Sequence, residues 1–175
     1  MNSKISGKAL AQKLRAELHA TEPIFDLKKA FDFFQIQIEP SLNQPFQNIT
    51  QNRFGFVIET SGTHVDDSIF NKVEKRFELA QMLGELLYKV IDTNSPEHYY
   101  PTFRSTNHQF DAQDFAHELL IPEVMIQDTI LGTNLNFEDL AYKFQVTETT
   151  MQNRLFRLEY QALRTMAKDR QLIPQ

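Results

Sequence analysis

Apolar positions recur along this chain with two periods, and the switches between them mark its elements. Leu10, Leu14 and Leu18 fall four residues apart, which predicts a helix over residues 8–18. Asp26 is placed to cap a short second helix carrying Leu27, Ala30, Phe31 and Phe34. The period then drops to two. Ile36-Gln37-Ile38-Glu39, bounded by Pro40, reads as a strand, and Arg53 to Glu59 as another, with Phe54, Phe56 and Ile58 on one side. Residues 41–52, rich in Asn and Gln, read as loop, and Ser61-Gly62 turns the chain into a third strand near 64–70.

The helical period returns at 73–90, the longest predicted helix. Val73, Phe77, Ala80, Gly84 and Leu87 form its stripe, widened by Leu83, Leu86 and Val90. Residues 92–106 read as loop, followed by a helix over 109–120 that stops at Pro122 and a short one over 123–131 that ends at Gly132. Asn136 caps a helix from Phe137 to Phe144, and Thr147 caps another through Met151, Leu155, Leu158 and Ala162. The tail after Asp169 is expected to fray. The predicted fold is α+β: a small three-stranded antiparallel sheet with helices on one face, a long central helix at 73–90 and a helical C-terminal portion. Residues 1–132 form the main body, 133–168 a helix-turn-helix-like pair packed on it as one compact unit, and 169–175 the tail.

Composition narrows the chemistry. The 175 residues are enough to bury a substantial core without cross-links, and there is no cysteine, which removes thiol nucleophiles and Cys-ligated zinc. No apolar run reaches signal-peptide or membrane-span length, so a cytoplasmic protein is expected. Acidic residues outnumber basic ones 23 to 18, which disfavours a broad nucleic-acid surface. Fifteen Phe beside no Trp point to a ring-rich core, with an apolar face left over for a partner.

The candidate chemistry centres on Arg76-Phe77-Glu78-Leu79-Ala80-Gln81-Met82-Leu83-Gly84-Glu85. This stretch has the frame of a zinc-peptidase helix, in which H-E-x-x-H puts two imidazoles one turn apart beside a glutamate base. Here Gln81 and Glu85 fill the ligand positions and Met82 the base position. A thioether accepts no proton, and a neutral amide is a poor zinc ligand. The bland reading is three ordinary helix formers. The sharper one is a remodelled pocket in which Glu85 and Asp111 converge, either on a hard cation or on Arg104. His117 reads as an exposed or half-buried helix residue, and His19, His64, His98 and His108 have no i,i+4 partner.

Three motifs in order carry a family resemblance. The helix above is similar to R-F-T-x-A-H-E-L-G-H. Asp111-Ala112-Gln113-Asp114-Phe115-Ala116-His117-Glu118-Leu119-Leu120-Ile121-Pro122 is similar to E-A-N-x-F-A-x-x-L-L-M-P. Phe144-Gln145-Val146-Thr147 through Arg154, Leu155 and Leu158 is similar to F-x-V-S-x-x-A-x-x-x-R-L-x-x-L. Over residues 8–160 the chain resembles the ImmA/IrrE metallopeptidases. That resemblance implies a zincin-like fold and, for active members, release of XRE-type helix-turn-helix repressors in phages, mobile elements and stress responses. It maps the histidine ligands onto Gln81 and Glu85, the catalytic glutamate onto Met82 and the acidic third ligand onto Asp111, the one ligand position whose chemical type is kept.

The expectation is therefore a pseudo-peptidase without metal or cofactor. Its degenerate cleft, lined by Gln81, Met82, Glu85 and Asp111, holds a protein partner, an XRE-type regulator, in an antirepressor or regulatory role. Two alternatives stand beside it. One is an atypical metal-dependent hydrolase using Glu85 and Asp111. The other is a DNA-binding regulator in which Thr149, Asn153, Arg154 and Arg157 face the duplex. Residues 136–175 hold six basic against five acidic side chains, a thin excess for phosphate neutralisation.

Overall fold

The structure, a computed structural model, describes residues 5–41, 48–52, 55–61, 66–93, 109–132 and 135–169. It is mostly helical with one small sheet. The elements are α1 (Gly7–Glu17), α2 (Leu27–Phe33), β1 (Ile36–Ser41), β2 (Asn48–Asn52), β3 (Gly55–Ser61), α3 (Val73–Thr93), α4 (Gln109–Leu120), α5 (Glu123–Gly132), α6 (Phe137–Phe144) and α7 (Glu148–Asp169). A 3-10 turn, Asp67–Asn71, precedes α3. No helix among the described residues is long and apolar enough to cross a membrane.

Local chemistry sets the helix ends as expected. The Asp26 carboxylate accepts from the Lys29 amide at 2.9 Å, and Thr147 Oγ1 accepts from the Thr150 amide at 3.1 Å. Asn136 Oδ1 accepts from the Asp139 amide at 2.9 Å while the Asp139 carboxylate accepts from the Asn136 amide at 3.4 Å, a reciprocal capping box.

The sheet differs from the expected antiparallel one. Its order is β1-β3-β2, with β1 and β3 parallel from Ile36↔Phe56 to Ser41↔Ser61, and β2 and β3 antiparallel from Asn48↔Glu59 to Asn52↔Gly55. The central position belongs to the third strand in sequence, so the first and third run the same way. The second strand comes from the polar stretch read as loop. An edge strand pairs through its backbone and needs no apolar alternation. The strand expected near 64–70 is absent over its described part. Asp66 accepts from the Ser68 amide at 2.9 Å and starts the 3-10 turn instead. Val57 and Ile58, on opposite faces of β3, are both buried, so the sheet is covered on both sides there rather than on one.

One hydrophobic cluster runs through the molecule, from Ala11 and Leu14 of α1 through Leu79 and Leu83 of α3 and Phe115 and Leu119 of α4 to Leu140, Phe144 and Met151 of the terminal pair. α4 packs against both α1 and α3. Each contact is a close approach that needs glycine. A Cβ on Gly7 would lie 2.2 Å from the Asp111 carbonyl oxygen, and one on Gly84 would lie 2.7 Å from Phe115 Cδ1. α3 is buried over more of its circumference than its stripe predicted: Leu79 and Met82 are inside, while Val90 is exposed.

Candidate functional site: the cleft between α3, α4 and α7

The four residues expected to line a degenerate cleft part company. Met82 is 2 % exposed and belongs to the core cluster, so it is packing and supplies no groove contact. Its position on α3 turns it inward with Leu79, Leu83 and Leu86. Gln81 and Glu85 are half-buried and bond to each other, Gln81 Nε2 donating to Glu85 Oε1 at 3.3 Å, as i,i+4 neighbours do. Asp111 is half-buried in the first turn of α4. Among the described residues, no group of three or more His, Asp or Glu side chains is arranged to hold a metal ion. Arg104, His64, His98 and His108 lie outside the described residues.

A cleft does open one helical turn back from Gln81, at Phe77. It is about 310 Å³ and is lined by Phe77 of α3, Gln113 and His117 of α4, and Thr150, Asn153, Phe156 and Arg157 of α7. α3 and α4 run antiparallel here, because Phe77 meets His117 while Gly84, farther along α3, meets Phe115 and Ala112, nearer the start of α4. The Gln81–Glu85 row therefore continues from the Phe77 side of the cleft along α3.

His117, expected to be exposed or half-buried, is instead 3 % exposed, its ring 4.6 Å from that of Phe77, and its Nδ1 is buried without a hydrogen-bond partner. Burial, reinforced by the nearby Arg157 and Arg154 guanidinium groups, lowers its pKa to about 3. The imidazole is neutral at physiological pH. Among the described residues no carboxylate bonds to the ring, so they do not assemble the acid-oriented base of a catalytic triad around it.

Two arginines of α7, Arg154 and Arg157, are paired within the protein. Arg154, 4 % exposed, donates to the Ile121 carbonyl at 3.1 Å and forms a buried ion pair with Glu118. Burial lowers its pKa, while Glu118 acts in the opposite direction. Glu118 also accepts from Gln12 Nε2 of α1 at 2.9 Å, so one carboxylate joins α1, α4 and α7. Arg157 donates to Asp114 at 2.5 Å and to Gln113 Oε1 at 2.6 Å. Arg154 is thus unavailable as a DNA contact, and the charge of Arg157 is offset by Asp114. Thr149 and Asn153 are exposed.

The cleft is therefore polar but close to neutral, with a neutral imidazole and the Phe77 ring in its lining. Phe156, also lining it, is 71 % exposed. The sequence held one signal for the buried pair: Arg154 falls in the inward stripe with Met151 and Leu158, where a cation needs an internal anion. Nothing comparable marked His117. Compared with protein-family models and with curated proteins, the chain finds no match.

Proposed function

We propose that this chain binds a protein partner through the cleft between α3, α4 and α7 and carries out no peptidase reaction there. The observation that carries this reading is Phe156, an aromatic side chain left 71 % exposed beside a near-neutral cleft. Aromatic side chains, Phe among them, are enriched in protein interfaces relative to the rest of the surface. The peptidase positions point the same way. Gln81 and Glu85 bond to each other, and Met82 is packed in the core where a proton-accepting base would have to stand.

Within the ImmA/IrrE resemblance, the partner is an XRE-type helix-turn-helix repressor and the role is that of an antirepressor acting by sequestration in the cytoplasm. The DNA-binding alternative is disfavoured by the internal pairing of Arg154 and Arg157. The hydrolase alternative, built on Glu85 and Asp111, requires a metal and is decided by the same experiment. Protein purified without chelator is analysed for metals, then mixed with an XRE-type regulator and followed by calorimetry and gel electrophoresis. The expected result is far less than one zinc per chain and an intact, metal-independent complex, weakened at least about tenfold by Phe156→Asp. Stoichiometric zinc with a clipped regulator would replace this reading with the hydrolase.

A further inference from the structure

A second groove, about 410 Å³, lies beside β1 and shares no residue with the α3–α4–α7 cleft. One wall is Ile36, Gln37, Ile38 and Glu39, and the remainder comes from α2 and the 3-10 turn. Successive side chains of a strand point to opposite faces, so a groove on one face would be lined by alternate residues. Four consecutive residues line this one. It therefore runs along the strand's edge, where the backbone is presented.

β1 is the outer strand of the sheet, and among the described residues no further strand pairs with its outer edge. A parallel partner engages the N–H and C=O of every other residue, so the intervening residues of β1 direct theirs away from β3. Such an edge is a template for strand addition. Pro40, which has no N–H, limits the usable stretch to residues 36–39.

The groove's charge selects the occupant. Asp32, Glu39, Asp66 and Asp67 contribute four carboxylates against the single ammonium of Lys28. Lys28 is already bridged to Asp32 at 2.8 Å and lies 3.7 Å from Asp67. Buried Ile69 and Phe70 also line the groove and offer apolar contact to alternate side chains.

We propose that the outer edge of β1 takes an extended, basic segment of a partner protein as a fourth strand. Main-chain hydrogen bonds along residues 36–39 supply the affinity, and the carboxylates select Lys and Arg side chains. The probe is a ten-residue peptide alternating lysine with threonine, tested against the full chain by fluorescence anisotropy and amide hydrogen exchange. Its counterpart alternates glutamate with threonine. The lysine peptide is expected to bind with an affinity that falls with salt, and to slow exchange of amides within residues 36–39. Glu39→Lys, at an exposed position that leaves the fold intact, should weaken it at least about tenfold. N-methylation of alternate peptide residues, which removes strand hydrogen bonds and keeps the charge, should abolish binding. Equal binding by the N-methylated or the glutamate peptide, or unchanged exchange at residues 36–39, would overturn the proposal. Binding that protects amides elsewhere would do the same.

Discussion

A histidine buried with its Nδ1 unbonded makes stability depend on pH. The folded-state pKa of His117 is lowered to about 3 from an ordinary 6.5, so the unfolded chain takes up the proton first. The contribution is fully present above the unfolded pKa, falls as pH drops below it, and levels off once pH passes the folded value. Between pH 7 and pH 5 it amounts to a loss of about 2 kcal/mol. Urea denaturation at both values should show this loss, and His117→Leu should remove most of it. Met82 gives a second prediction. It is 2 % exposed among core side chains, so Met82→Glu buries an unpaired carboxylate and should destabilise the fold by several kcal/mol. Gln81→Ala and Glu85→Ala, at half-buried positions, should each cost about 1 kcal/mol or less. Thermal melts of the three variants would separate core from cleft. Neither burial could be read from the pattern of residues. Periodicity locates a stripe, but α3 is enclosed over more of its circumference than the stripe spans.

Between elements, the junction of α4 with α7 depends on an ion pair that each helix alone would leave unsatisfied. Removing one partner strands a buried charge, so Arg154→Ala or Glu118→Ala should cost about 3–5 kcal/mol. The double variant Glu118→Leu with Arg154→Met should recover most of the loss, as measured by chemical denaturation. Arg157→Ala breaks a partly exposed pair and should cost about 1 kcal/mol or less. The α3–α4 contact has a different sensitivity. Gly84→Ala gains up to about 1 kcal/mol of helix propensity but drives a methyl into the Phe115 ring, so a net loss is expected.

Legibility at the element scale follows the kind of force involved. Helices with side-chain caps, at Asp26, Asn136 and Thr147, could be read directly because the cap and the apolar period are local. The sheet could not. Whether β1 meets β2 or β3 is decided by non-local backbone pairing, and the polar β2 carries no apolar alternation to announce it. The cleft was legible only as far as α3: Gln81 and Glu85 could be placed one turn apart on one helix, but nothing in the sequence reported that Phe77 stands beside a cleft that α7 closes with Asn153, Phe156 and Arg157.

At the scale of the whole molecule, the terminal helices behave as part of the body. The hydrophobic cluster includes Leu140, Phe144, Val146 and Met151 together with the side chains of α1, α3 and α4. Polar links reinforce this continuity. Arg15 of α1 donates to the Leu119 carbonyl at 2.8 Å, and Glu118 receives both Gln12 and Arg154. A division near residue 132 would expose apolar surface on both sides and leave Glu118 buried without its cation. Unfolding is therefore expected to be a single cooperative transition. Far-UV circular dichroism and NMR methyl signals from Val146 in the terminal pair and Leu83 in α3 should give the same urea midpoint. A chain ending at residue 132 should be markedly less stable than the full protein, with exposed apolar surface that binds hydrophobic dyes. If the Val146 signal melted at lower urea while Leu83 kept the full-length midpoint, α6 and α7 would form an appendage. The cleft would then lose one wall without loss of the body.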